Sequence, residues 1–280
     1  MAAFEPPEML RAVLVGSGSD GMNEQAVADA ILALANTPQP RVLYLGAATY
    51  DLPGPRERQT ARFVEAGCFV MSLDLATPKL VRSEEEEAEF GAKLVRAVEA
   101  AGVIVVSGGN TLYAADRFVK VGLVPLLRRA MERGVVLTGG SAGAICWFDS
   151  GHSDSMDPGS YRAAMLGVVD SGADESSGEP AAEAEPKPWE YIRIPCLGLL
   201  PGLCCPHHDR IQSNGVLRAV DFDEMMLRHR SERGLAIDHW AALVRLAIQM
   251  HNSACHRPVS VSPTGVIDLN GVGGALYLIR

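Results

Sequence analysis

The sequence predicts an α/β architecture: a mostly parallel sheet covered by helices on both faces. Three observations predict it. Short β-branched runs alternate with longer amphipathic stretches at the spacing of right-handed strand–helix–strand units. Those runs are continuously apolar rather than alternating, as strands buried on both faces require. Several of them end in glycine-rich turns, which is where parallel sheets present ligands.

The elements follow in order. RAVLV (11–15) is the first strand, and the chain turns at GSG (16–18). Residues 24–35 read as a helix, RVLYL (41–45) as a second strand, 59–66 as a helix and 68–73 as a third strand. Residues 84–101 form a long helix whose four leading glutamates suit the positive end of the helix dipole. VIVV (103–106) is the fourth strand and runs into SGGNT (107–111). A helix at 123–133 leads to VVLT (135–138), the fifth strand. The stretch 170–188 is rich in Ser, Gly, Ala, Pro and acid and holds no aromatic residue. It cannot bury enough apolar area to offset its ordering entropy, so a mobile acidic loop is expected within one domain spanning 1–280. Beyond it, 191–200 and 202–205 read as strands and 216–230 as a helix. The segments 234–237 and 241–247 read as a strand pair, and 259–261, 265–269 and 275–279 as a terminal antiparallel set.

Composition narrows the function classes. The chain has 280 residues, 48% apolar and 21% charged, ordinary values for a folded globular protein. With 25 basic against 34 acidic residues, the net charge of −9 argues against a general nucleic-acid partner, which needs clustered Lys and Arg. No apolar run reaches the ~18 residues of a membrane helix. The N-terminus, MAAFEPPEML, carries acid and proline where a signal peptide places basic residues and then an apolar core, so a cytoplasmic setting is expected. Six cysteines without a Cys-x-x-Cys pair read as buried thiols. Cys204, Cys205, His207 and His208 have the ligand types of a zinc site but the wrong spacing, and neither metal nor cofactor is called for.

The strongest local signal is TGGSAGA (138–144), which fits G-x-S-x-G around Ser141 between a strand and an apolar stretch able to start a helix. That context is a nucleophile elbow: a tight turn lifts the serine off the sheet edge, and small neighbours tolerate the crowded backbone. The N–H of Ala142 would then face a developing oxyanion. SGGNT (107–111) ends a second strand; Gly109 would supply a second donor, and Asn110 would shape the turn or touch substrate. A serine nucleophile needs a base, and either His207 or His208 in CCPHHD (204–209) is placed at a strand end. His152 looks to be on a loop, and His229 on a surface helix. A base needs an orienting acid; Asp238, after the strand GLAI (234–237), is best placed, with Asp154 as competitor.

The chain order Ser–His–Asp differs from the Ser–Asp–His order of α/β-hydrolases. Taken with GGSAGAICW (139–147), SGGNT (107–111), GHSDSM (151–156), the segment 196–202, CPHHD (205–209) and GLAIDHWAALV (234–244), the chain resembles peptidase family S51. That family includes peptidase E, an α-aspartyl dipeptidase, and cyanophycinase. The resemblance implies a three-layer, flavodoxin-like fold of the class I glutamine amidotransferase kind. It implies a serine peptidase acting on short peptides that begin with aspartate. The nucleophile falls on Ser141, the base on His207, the acid on Asp238 with Asp154 still in play, and the oxyanion donors on Gly109 and Ala142. A substrate-recognising arginine would fall on Arg210 or Arg218. The expected partner is a small peptide, with a homodimer admitted as the assembly. Two alternatives stay open: another acyl or amide hydrolase of the same fold, and a ligand-binding homologue without catalysis.

Overall fold

The structure, a computed structural model, describes residues 9–76, 83–165, 188–250, 259–268 and 276–279. The acidic stretch 170–188 lies outside them except for its last residue. In chain order, β1 (Met9–Val15) leads through the single-turn α1 (Ser19–Met22) and α2 (Gln25–Leu34) to β2 (Val42–Leu45). Next come α3 (Pro53–Glu65), β3 (Val70–Ser72), α4 (Glu84–Ala100), β4 (Val103–Val106), α5 (Thr111–Lys120), α6 (Val124–Glu132) and β5 (Val136–Gly140). The second half holds α7 (Ala142–Ile145), β6 (Phe148–Ser153), α8 (Arg162–Met165), β7 (Ile192–Pro195) and β8 (Leu200–Cys205). It closes with α9 (Arg218–Arg228), β9 (Gly234–Ile237), β10 (Ala241–Met250), β11 (Val259–Asp268) and β12 (Leu276–Ile279).

The strands form two sheets rather than one. The larger runs β11-β10-β1-β5-β4-β2-β3, parallel from β1 to β3 and antiparallel at β10 and β11. The smaller runs β12-β9-β8-β6-β7, with β9, β8 and β6 parallel. Continuous apolar runs are explained by alternation between two cores. Along β1, Ala12 and Leu14 enter one core while Val13 and Val15 enter the other. Ile104 and Val106 are divided from Val103 and Val105 in the same way along β4. A third, small core forms where Phe222, Met225 and Met226 of α9 meet Leu203, Cys205 and Ala236 of the smaller sheet.

Several local expectations change. Residues 59–66 are only the second half of α3, which begins at Pro53; proline in a first helical turn lacks an N–H that would be unpaired there anyway. Helix α5 was not expected after SGGNT; Asn110 caps it, its Oδ1 accepting the N–H of Tyr113 at 3.0 Å. The segment around His152 is strand β6, not a loop, and the helix after Ser141 is one turn before the chain re-enters a strand. The segments 259–261 and 265–268 belong to one strand, β11, and residue 269 lies outside the described residues. Most consequentially, β9 and β10 do not pair with each other: β9 lies in the smaller sheet and β10 in the larger, so residues 238–240 carry the chain from one sheet to the other.

That crossing is tied to the end of β1. The Gly16 N–H donates to Ala241 O at 2.9 Å, and Gly16 O accepts the N–H of His207 at 3.0 Å. A Cβ on Gly16 would collide with the carbonyl oxygen of Asp238. Gly16→Ala is therefore expected to destabilise the fold by about 1–3 kcal/mol, the ordinary cost of overpacking. Urea unfolding checks it: the midpoint should drop at an unchanged slope, and a midpoint equal to the parent's would show that the two sheets do not depend on this contact.

Candidate active site

Three parallel neighbours, β1, β5 and β4, end side by side, and their carboxyl ends carry the GSG, GSAG and SGG turns. Ser141 follows directly on β5 with φ 55° and ψ −119°, a left-handed conformation for a residue with a side chain. Holding it costs about 1–3 kcal/mol. Its N–H donates to Val15 O at 3.1 Å, and its carbonyl accepts from Ala144 at 2.9 Å and Ile145 at 3.1 Å. Gly143 is required because a Cβ there would collide with the carbonyl oxygen of Val106. The N–H groups of Gly109 and Ala142 donate to no protein acceptor among the described residues. Gly108, by contrast, is held by Oε1 of Gln59 at 3.1 Å.

Ser141 and His207 line one cleft of about 220 Å³, with Gly108, Gly109, Thr49 and Arg58. His207 enters from the end of β8, two residues past Cys205, and also has a positive φ, 49°. Its Nδ1 lies 2.7 Å from Nδ1 of His239. Its Nε2 makes no hydrogen bond among the described residues. Burial above all, then the charge of Arg218, pushes its pKa down to about 3, so the ring is neutral near pH 7.

Neither expected acid is hydrogen-bonded to His207 among the described residues, although the charge of Asp154 acts on its ring. Asp238 lies beside His208, with Oδ1 3.4 Å from Nδ1, while the ring facing Nδ1 of His207 is that of His239. Asp154 meets Arg218 at 3.1 Å. Burial pushes its carboxyl up, but the charges of Arg218 and His207 and the hydrogen bonds it accepts together hold it below the ordinary range. Arg218 is fully buried: Nε donates to Nδ1 of His152 at 3.2 Å, Nη2 donates to the His152 carbonyl at 2.6 Å, and the cation lies over Tyr191. It is a structural cation, not an arm reaching for substrate. His152 is equally buried, and its Nε2 is 2.8 Å from Asp221.

The remaining expectations divide. Asn110 is spent on structure: besides capping α5, its Nδ2 donates to Ser155 O at 3.2 Å and Ser160 Oγ at 3.1 Å. Arg210 is exposed and does not line the cleft, although its charge acts on His207 and His239. Arg58, which sequence reasoning missed, does line it. It sits within the half of α3 obscured by the Pro-Gly-Pro run. Cys204 and Cys205 are neighbours on one strand, so their side chains enter different cores. Burial drives both thiols up, as it does that of Cys146, leaving Cys146 inert as a nucleophile. Among the described residues no cluster of His, Cys, Asp and Glu could hold a metal, and no helix is long and apolar enough to cross a membrane.

A strained serine over a small cleft, on a mostly parallel sheet, is the layout of a hydrolase. Residues 12–251 match the model of peptidase family S51, and the chain belongs to that family. A protein of Trypanosoma brucei brucei named G2/mitotic-specific cyclin-1 is 31% identical over 248 residues, 82% of this chain and 70% of its own length. The uncharacterized peptidase YgaJ of Bacillus subtilis is 28% identical over 203 residues, 72% and 70% of the two chains. The fold matches the crystal structure of a Listeria monocytogenes EGD-e protein assigned as peptidase E, with TM-score 0.52 and 14% identity over 92% of this chain and all of that one. It also matches a peptidase from an acI-B1 actinobacterium, with TM-score 0.53 and 16% identity over 96% and 95% of the two chains.

The buried histidines set a pH dependence. Burial pushes the His152 pKa down to about 4, against the pull of Asp221, whereas the unfolded chain titrates near 6.5. Between those values the unfolded state binds more protons. Stability is therefore full above the unfolded value and falls as the pH drops toward about 4, with a slope approaching about 1.4 kcal/mol per pH unit. Urea midpoints at successive pH values through this window should decline steadily; a flat series would show that His152 is not held neutral.

Proposed function

We propose that the chain is a serine peptidase of short peptides, a dipeptidase releasing N-terminal aspartate. One observation carries the reading: Ser141, held in a strained elbow, shares its cleft with a neutral His207 and a cationic Arg58. Ser141 Oγ attacks the scissile carbonyl carbon as Nε2 of His207 takes the hydroxyl proton. The uncommitted N–H groups of Gly109 and Ala142 stabilise the oxyanion, each worth about 3–4 kcal/mol of barrier. The carbon–nitrogen bond then breaks and the imidazolium returns its proton to the leaving amine. Water, deprotonated by the same ring, releases the acyl group and restores Ser141.

The cleft is smaller than the ~300–1,000 Å³ of sites for drug-sized ligands, which favours a short substrate. Arg58 on its wall, with the field of Arg210 beyond, favours a carboxylate on the first residue through a charge-assisted hydrogen bond. This local positive charge stands against a net charge of −9 for the whole chain. A cytoplasmic setting suits such a scavenger of small peptides.

The test uses dipeptides beginning with Asp, Glu, Asn or Ala. Ser141→Ala should abolish turnover and fluorophosphonate labelling; parent-like turnover would remove the mechanism. Arg58→Ala should raise KM at least ~10-fold for Asp-X, the scale of one charge-assisted contact, and leave Ala-X unchanged. Equal parent rates for Asp and Ala would remove the acidic preference while leaving hydrolysis intact.

A further inference from the structure

The geometry points to His239 as the residue that positions the base, in the place where a carboxylate was expected, with Asp20 behind it. The inference rests on the serine-hydrolase reading above and deepens it. Nδ1 of His207 faces Nδ1 of His239 at 2.7 Å, and Nε2 of His239 lies 3.5 Å from Oδ2 of Asp20. Two imidazoles joined nitrogen to nitrogen at this distance need one proton between them. If Nε2 of His207 is to accept the serine proton, its own proton resides on Nδ1. His207 is then the donor in the pair, and Nδ1 of His239 is the acceptor. His239 must in turn carry its proton on Nε2, where it points at the carboxylate of Asp20. One tautomer assignment satisfies both contacts, and it leaves Nε2 of His207 able to accept the serine proton.

The fold holds this arrangement from both sides. His207 and His239 each lie two residues past the ends of the neighbouring parallel strands β8 and β9, so the sheet delivers both rings to one place. The His239 N–H donates to Oδ1 of Asp209 at 2.6 Å, which fixes its backbone. Asp20 comes from α1, just past the GSG turn after β1. The relay thus draws on three strand ends. As Ser141 Oγ bonds to the carbonyl carbon, its proton passes to Nε2 of His207. The resulting imidazolium keeps its Nδ1 proton, hydrogen-bonded to His239, until Nε2 releases the other proton to the leaving amine. His239 remains neutral throughout and transfers nothing.

Three variants test this by the rate of fluorophosphonate labelling of Ser141, read by intact mass, and by kcat and KM on the dipeptide the enzyme turns over. In His239→Asn, Oδ1 takes the place of Nδ1, since both are bonded to Cγ. His239→Leu has nearly the shape of the Asn variant but no acceptor. The Leu variant should lose on the order of 10² to 10⁴ in labelling rate and kcat at an unchanged KM, the range seen when a serine hydrolase's base loses its orienting partner. The Asn variant should stay within about ten-fold of the parent. Asp20→Asn, at an exposed position that does not endanger folding, should slow labelling about two- to five-fold, the scale of an exposed pair, and have no effect in the His239→Asn background. Parent rates in His239→Leu overturn the proposal, as do equal losses in the Leu and Asn variants when both melt like the parent. An Asp20→Asn enzyme at the parent rate overturns the outer contact. If Ser141→Ala instead hydrolyses like the parent, the peptidase reading itself has failed, an outcome distinct from any of these.

Discussion

Two main-chain hydrogen bonds at Gly16 tie the end of β1 to its neighbour β10 and, through His207, to the smaller sheet. Ser141 rides on the larger sheet and His207 on the smaller one, so neither sheet alone makes the cleft. Gly16 donates to the first residue of β10 and accepts from His207, at the point where the chain crosses between sheets. Hydrogen bonds of this kind are worth only about 1 kcal/mol each in stability. Their importance is positional. They set the distance from the end of β1 to His207, while Val15 O, the adjacent carbonyl, holds the N–H of Ser141. Two consecutive carbonyls thus register Ser141 and His207 against each other.

Much of the parallel half was legible in the sequence because its signals are local. VIVV and VLYL are β-branched or apolar throughout, and the structure shows why: successive residues feed separate cores on the two faces of one sheet. The glutamate-led helix α4 was legible from its charge, and it carries a full capping box between Ser83 and Glu86. What escaped was set by competition. SGGNT looked like a ligand turn, and that reading hid Asn110 as the cap of α5. Strand β6 was hidden by its polar residues His152 and Ser153: Ser155 bonds the second, but the first is buried against Arg218 and Asp221, both more than sixty residues away.

The site shows the same division. Ser141 was legible because the elbow's crowding demands a short, specific string of small residues. His207 was legible because a proline and a strand end announce it. The partner of His207 was not, because partner choice is a matter of which side chain of a turn faces inward. Asp238 and His239 are adjacent, and chemistry alone favours the acid. In the structure the acid faces His208 and the imidazole faces His207. No spacing rule separates two neighbours on a connection that leaves one sheet for another. The burial of Arg218 was likewise invisible, since a helix-start arginine reads as a surface residue until its depth is known.

The backbone of Ser141 bears on how such a protein could lose its chemistry. Glycine would occupy that left-handed bend without a side-chain penalty, so the most economical route to a sturdier scaffold runs through deletion of the hydroxymethyl group. Drift on stability alone would push toward an inert descendant. A hydroxyl kept at such a bend is what selection for reactivity, rather than for robustness, would leave.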